Sequence, residues 1–482
     1  MKFNKFFSFI AAAALVAFAA SCTKEETPGT DDPNQNEQPD TPDTPVEKSK
    51  ACKLTDFSLK AGDLTVAGFV YEEDKVVEVA YMPDQFAALA NATAEVKISE
   101  KATISPDPAA AADYTVEGGV KFTVTAEDGE TKAEYTVVLK AAEFNVKTQL
   151  VWQKTFGDLG VNTASFGQSN IGFAGTNIVT RHLDVLDLTG AKVGTLNVEG
   201  VATANLPGFA FACVTNDHAG HLVASVAVTA DDQIAPNSDS VAKSYIYVWE
   251  NGWDKAPVLF YSNMEGNVTL YMSAGGDLTG EGVLNVITPG RGATTMFHTF
   301  STPRKADGEL NWAPFNTSYV SNDGNWGQMV SPASGSLNGD FVICDSQGNN
   351  NGMMFYVRKG ITDEGADIAL TGTVLDDALA EGGGSNQYGN YSTGHARAFT
   401  LNGTSYVVAC SSGWPCTYVT IQSLNPEDEN HYLLRTQVLA TPAPVPCSAY
   451  CFDAATGKAY VLVSAQSESS MMALYEIITE VL

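Results

Sequence analysis

From about residue 147 onward, a glycine turn precedes a short β-rich run six times. The runs start at Ile178 after Gly175, Leu222 after Gly220, Val283 after Gly280 and Gly282, Phe341 after Asn338-Gly339, Tyr406 after Asn402-Gly403, and Tyr460 after Thr456-Gly457. Their spacings are 44, 61, 58, 65 and 54 residues, and the repeat is one of shape rather than of letters. A second β-run follows most of them: Tyr245–Trp249, Thr295–Phe300, Met353–Val357, Thr417–Ile421 and Met471–Tyr475. A unit of this size cannot bury its apolar faces alone and must pack against copies of itself. Repeated hairpins of this length describe the blades of a β-propeller. Helical periodicity is nearly absent, which excludes a barrel with alternating helices.

The blade count follows from the ends. The sixth unit runs out of chain after its third strand, around Tyr475–Ile478, whereas Gln149–Phe156 forms an isolated β-run just before the first unit. If that run supplies the missing strand, the ring closes on six blades in preference to seven. Residues 147–482 are therefore assigned to a propeller.

Residues 51–143 have a different rhythm. Seven short runs alternate in polarity: Leu54–Leu59, Leu64–Tyr71, Val76–Tyr81, Ala94–Ile98, Tyr114–Val116, Val120–Thr125 and Ala133–Leu139. Seven strands in about ninety residues suit a β-sandwich. Asp128-Gly129 marks a hairpin between two alternating strands. It places Val120, Phe122 and Val124 on one core face, with Tyr135 and Val137 opposite.

The chain carries 27 Lys and Arg against 56 Asp and Glu, a net charge of -29. Such a charge repels nucleic acid and anionic lipopolysaccharide, so neither is an expected partner. Cys52, Cys213, Cys344, Cys410, Cys416, Cys447 and Cys451 show no CxxC or Cys/His zinc spacing. Cys410 and Cys416 flank a turn and can pair; Cys447 and Cys451 lie too far apart along one strand. Most of these cysteines suit small buried apolar positions.

The amino terminus reads as an address. Lys2 and Lys5 precede the apolar run Phe6–Ala20, and Ala19-Ala20-Ser21 leads to Cys22. This stretch resembles a bacterial lipobox, with Ala19 in place of the more usual Leu, which makes Cys22 the expected lipidation site. Lys24-Glu25-Glu26 resembles the signal that sends Bacteroidetes lipoproteins to the outer face of the outer membrane. Residues 22–50, with five prolines between Pro28 and Pro45, form an acidic disordered tether. The Asp128-Gly129 hairpin closely resembles the last hairpin of immunoglobulin-like or cadherin-like sandwich domains. The whole arrangement is similar to surface lipoproteins of Bacteroidetes polysaccharide-utilisation systems. That resemblance implies an outer-membrane, surface-exposed, lipid-anchored protein with an oligosaccharide or polysaccharide as partner.

Propeller topology sorts the loops. If the glycine turns join the first and second strands of each blade, the other face receives the connections rich in Trp, Tyr, Asn, Gly and Arg. Candidate ligand-binding residues there are Arg291, Trp326, Tyr388, Tyr391, His395, Arg397 and Trp414. Aromatic rings stack on pyranose faces, while amides and guanidinium groups bond sugar hydroxyls. Non-catalytic glycan binding is the preferred expectation. A propeller glycoside hydrolase or polysaccharide lyase around His395 and Arg397 is an alternative, and a protein-adhesion module is another. No catalytic residue or metal ligand is assigned. Asp217, His218 and His221 are of ligand type but fall in a turn on the opposite face. Asp184 and Asp187 read as solvated charge, and Trp249 and Trp253 as packing or turn residues. No cofactor signature is present, and calcium in the channel has no residue pattern behind it.

Overall fold

The computed structural model describes residues 47–142, 144–161, 170–235, 240–265, 271–288, 295–308, 311–319, 329–346, 353–361, 373–374, 393–412, 417–425, 432–438, 445–466 and 471–481. Cys22 and nearly all of the tether lie outside these residues. Among the described residues no helix is long and apolar enough to cross a membrane.

The amino-terminal strands are β1 (Leu54–Ala61), β2 (Leu64–Tyr71), β3 (Val76–Tyr81), β4 (Thr93–Ile98), β5 (Thr103–Ser105), β6 (Val120–Thr125) and β7 (Lys132–Ala141). They form one hydrogen-bonded sheet in the order β4-β1-β2-β3-β7-β6-β5, with β3 and β7 parallel. In a flat sheet, β1 and β6, four places apart, would be roughly 19 Å from each other. Yet the Phe57 and Phe122 rings lie 6.1 Å apart, so the sheet bends over its own core. Tyr135 fastens that fold: its hydroxyl accepts from Leu54 N–H at 3.0 Å and donates to Glu72 Oε2 at 2.6 Å. Phe122, Val124, Tyr135 and Val137 are buried as the alternation requires.

One strand differs from expectation. Tyr114–Val116 is a turn, because the Asp113 carboxylate accepts both the backbone N–H and the hydroxyl of Thr115. Tyr114 still enters the core, at 1 % exposure, and the seventh strand is β5. The Asp128-Gly129 hairpin is present, with a loop spanning residues 126–131. There Asp128 Oδ1 accepts from Glu130 and Thr131 N–H, and Gly129 adopts φ 77°.

The rest of the chain builds six four-stranded antiparallel sheets. β8 (Phe144–Thr155) comes first and belongs to the last of them. Blade 1 holds β9 (Ile171–Ala174), β10 (Asn177–Thr180), β11 (Asp184–Leu186) and β12 (Lys192–Thr195). Blade 2 holds β13 (Cys213–Asn216), β14 (Leu222–Val228), β15 (Lys243–Trp249) and β16 (Val258–Glu265). Blade 3 holds β17 (Tyr271–Gly276), β18 (Gly282–Thr288), β19 (Thr295–Ser301) and β20 (Asn311–Tyr319). Blade 4 holds β21 (Met329–Pro332), β22 (Asp340–Ser346), β23 (Met353–Lys359) and β24 (Thr373–Val374). Blade 5 holds β25 (Thr393–Leu401), β26 (Thr404–Ser412), β27 (Thr417–Ser423) and β28 (Tyr432–Val438). Blade 6 holds β29 (Val445–Asp453), β30 (Lys458–Gln466) and β31 (Met471–Val481), with β8 as its outer strand.

The innermost strands β9, β13, β17, β21, β25 and β29 each pack on the next, and β29 returns to β9. This is a six-bladed β-propeller. Its six glycine-led runs are the second strands of the six blades, and Gln149–Phe156 falls largely in β8, which pairs with β31 from Met471↔Thr155 to Val481↔Phe144.

The second strands read as continuous apolar runs because blades stack on both their faces. In β14, Leu222–Val226 and Val228 are all buried. The core lies between neighbouring blades. Phe399 of blade 5 stacks on Tyr450 of blade 6 at 4.1 Å between centroids. Each fully buried side chain of this size contributes about 1.5–3 kcal/mol. Close approach at the axis explains one glycine: a Cβ on Gly172 of β9 would lie 2.6 Å from the Thr215 carbonyl oxygen of β13.

Candidate functional site

Near the axis the two faces differ. The connections from first to second strand are short: 175–176, 217–221, 277–281, 333–339, 402–403 and 454–457. Their backbones bond from blade to blade. Gly175 N–H donates to Gly220 O at 2.8 Å, and His218 N–H donates to Gly276 O at 2.9 Å. The opposite face receives longer connections, such as 196–212. Arg291, Trp326, Tyr388, Tyr391 and Trp414 lie outside the described residues.

His395 and Arg397 are described, and both are sealed in, at 2 % and 0 % exposure. They occupy alternate positions of β25, the innermost strand of blade 5. Arg397 crosses the axis to the opposite blade. Its guanidinium donates to Thr215 Oγ1 at 3.2 Å and to the Asn216 carbonyl. Burial lowers its pKa to about 10, opposed by the Asp217 carboxylate.

Asn216 continues the knot. Its Oδ1 accepts from Phe173 N–H of blade 1 at 3.1 Å, and its Nδ2 donates to Tyr450 O of blade 6 at 2.7 Å. His218 Nδ1 accepts from Gly276 N–H at 3.2 Å, so the proton sits on Nε2 and is donated to Ala398 O at 3.0 Å. Burial, and then the Arg397 charge, push the His218 pKa down to about 3. These bonds tie side chains of blades 2 and 5 to backbone groups of blades 1, 2, 3, 5 and 6 around the axis.

His395 is neutral for the same reasons, its pKa lowered to about 3 by burial and then by Arg397. Its Nδ1 accepts from Ser448 N–H at 3.2 Å, which leaves the proton on Nε2, facing Cys447 Sγ at 3.8 Å. A ring in that tautomer cannot take the thiol proton. From innermost strand β25, His395 and Arg397 bond blade to blade and present no polar atom to solvent.

On the short-turn face, Asp217, His221 and Asp277 bring one ligand-type atom each to within 4.8 Å of one another. All three atoms already have partners. His221 Nδ1 lies 2.8 Å from Asp217 Oδ2 and 3.4 Å from Asp277 Oδ1, and Leu278 N–H also donates to Asp217 at 2.9 Å. The Asp217 carboxylate raises the His221 pKa against burial. The trio acts as an ion-pair cluster.

Other sequence readings resolve as follows. Trp249 is buried, with its indole N–H on Asn197 O at 2.8 Å, and Trp253 packs over Gly194. Asp184 is buried rather than solvated, paired with Lys192 at 2.5 Å across β11 and β12. Cys410 is a free, buried thiol whose pKa burial pushes up; it makes no disulfide.

Two residues were not singled out in the sequence. Asn170, at the loop-rich end of β9, is 1 % exposed, and neither its Oδ1 nor its Nδ2 has a partner. Arg181, in the turn after β10, donates its backbone N–H to Asn170 O at 2.9 Å, which sets the two side by side. Its Nε is buried without a partner, while the residue as a whole stays partly exposed. Leu183, in the left-handed region at φ 73°, tightens that turn. A lone Asn before an apolar run carries no sequence signal; it gains meaning only when the fold buries it.

A family model for a domain of unknown function (DUF8499) matches residues 54–139, the bent amino-terminal sheet. No curated protein matches the chain in sequence. Among solved structures, a DUF4623 family protein from Bacteroides eggerthii DSM 20697 is similar at 12 % identity and a TM-score of 0.44, over 89 % of this chain and 99 % of that one. A Trypanosoma rangeli sialidase matches at 10 % identity and a TM-score of 0.31, over 90 % of this chain and 59 % of its own. An endo-arabinase from Bacteroides thetaiotaomicron matches at 9 % and 0.30, over 54 % of this chain and 89 % of its own. These likenesses are of fold alone.

Proposed function

We propose that this chain is a lipid-anchored outer-membrane surface protein that holds a saccharide on the loop-rich face of its propeller without cleaving it. The asymmetry about the axis carries the reading. One end is closed by short backbone-bonded turns and by Arg397, Asn216 and His218. The other end receives longer connections such as 196–212 and holds an amide whose donor and acceptor are both unspent; the sequence candidates Trp326, Tyr388, Tyr391 and Trp414 would supply its aromatic rings. A saccharide, with hydroxyls that donate and accept and faces that stack on rings, suits that set. The immunoglobulin-like sheet and acidic tether then set the height of the site above the membrane, with Cys22 as the lipid attachment.

A non-cleaving role fits His395, which is neutral, protonated on Nε2 and bonded to its neighbours. Affinity gels containing plant, host and microbial polysaccharides, run beside a reducing-end assay, test the reading. Retention without new reducing ends is expected, and loss of retention in Trp326→Ala/Trp414→Ala. Undiminished retention in that double variant sinks the proposed face. New reducing ends that vanish in His395→Ala replace the reading with a hydrolase or lyase.

A further inference from the structure

We infer that the corner formed by Asn170 and Arg181 seats a single carboxylate, and that the ligand is a largely neutral saccharide chain carrying isolated uronic-acid residues. This rests on the saccharide-binding reading and names the chemical class of its ligand.

The first observation is Asn170. Its side chain is buried with neither amide atom bonded, a state that destabilises the fold for each group left unpaired. Native proteins rarely keep such a group without a partner to come. A carboxylate alone would meet only its N–H. A uronic acid brings a carboxylate to accept from Nδ2 and a ring hydroxyl beside it to donate to Oδ1.

The second observation is Arg181. Acidic residues outnumber basic ones by 56 to 27 in this chain, and lysines such as Lys60, Lys97 and Lys192 each find a carboxylate. Arg181 finds none among the described residues, although it is partly buried and its Nε has no partner. Burial lowers its pKa, opposed by Cys213, and burial and then the Arg181 charge depress His182 against the Asp184 carboxylate, which Lys192 already pairs. The corner is therefore locally positive within a negative molecule. A guanidinium binds a carboxylate in two parallel bonds, and its partly open side gives the ligand an approach from solvent.

The net charge fixes how densely acidic the ligand can be. A polyanion would meet repulsion from the whole molecule, at -29. An isolated carboxylate feels mainly what lies within the screening distance of about 8 Å at physiological salt.

The test uses the full mature chain on affinity gels of glucuronoxylan and of glucuronate-tipped arabinogalactan, each native and carboxyl-reduced, beside polygalacturonate. At least one native polymer should be retained tenfold more strongly than its reduced form, and more strongly than polygalacturonate. Arg181→Gln should erase the difference between native and reduced forms, and Arg181→Lys should keep part of it. Asn170→Asp, which sets a negative charge at the same position and volume, should also erase it. Thermal melts of each variant separate lost binding from lost folding. Equal retention of native and reduced polymers, or full discrimination in a folded Arg181→Gln, overturns the carboxylate seat and leaves saccharide binding standing. Preference for polygalacturonate overturns the sparse-charge part. No retention of any polysaccharide overturns both this inference and the reading beneath it.

Discussion

Arg397 is a buried cation with no carboxylate in ion-pair contact among the described residues, held by a hydroxyl and a carbonyl of the opposite blade. Its removal acts on the ring rather than on an exposed surface. Arg397→Ala leaves a cavity and strands the Thr215 and Asn216 acceptors, so a loss of about 3 kcal/mol or more is expected in urea denaturation. Arg397→Met fills the space and removes the cost of burying charge, and should lose less than half as much. The neutral histidines make a second prediction. His218 and His395 have folded pKa values lowered to about 3, below the unfolded value near 6.5. Unfolding then takes up protons between those limits, and stability falls as pH drops below about 6.5. His221 runs the other way: its raised pKa favours the folded state in acid and loses that contribution as pH rises through the folded value. For the first two together, denaturation at pH 5.5 should show about 2–3 kcal/mol less stability than at pH 7. A flat profile would contradict their burial as neutral rings.

Among elements, the second strands were the most legible in the sequence and the outer strands the least. Leu222–Val228 and Lys458–Gln466 announce themselves because blades cover both faces, leaving a mostly apolar run after a tight glycine turn. Lys192–Thr195 is an outer strand with exposed side chains and reads as a loop. Tyr114 misled for a related reason: a large buried side chain sits in a turn that Asp113 imposes. The site was less legible still. Arg397 meets Thr215 from 182 residues away, a contact that no local pattern encodes. Asn170 looks like any loop amide until the fold buries it. The innermost strands carry their own prediction. Gly172→Ala would force a Cβ to 2.6 Å from the Thr215 carbonyl oxygen, and backbone cannot yield as a flexible side chain would. A loss of about 1–3 kcal/mol is expected in thermal or urea unfolding. Gly175→Ala, with nothing within 4 Å of its Cβ, should instead cost only the strain of its positive φ.

At the scale of the whole propeller, stability depends on a ring that both ends of its chain must close. Deleting residues 471–482 removes β31 and leaves β30 and β8 without their shared neighbour. The expected outcome is a sharp drop in the melting temperature together with oligomers on size exclusion, because unpaired edges recruit other chains. A monomer that melts as the intact protein does would show that closure contributes little. The pairing also imposes an order in time. Lys147 and Glu480 meet across the β8–β31 ladder from 333 residues apart. At the usual pace of synthesis, roughly 5–20 residues per second, β8 waits about 20–70 s for its partner to be made. Throughout that interval an incomplete ring carries a bare strand, so a newly made molecule stays vulnerable to proteases and to its neighbours until the final strand docks.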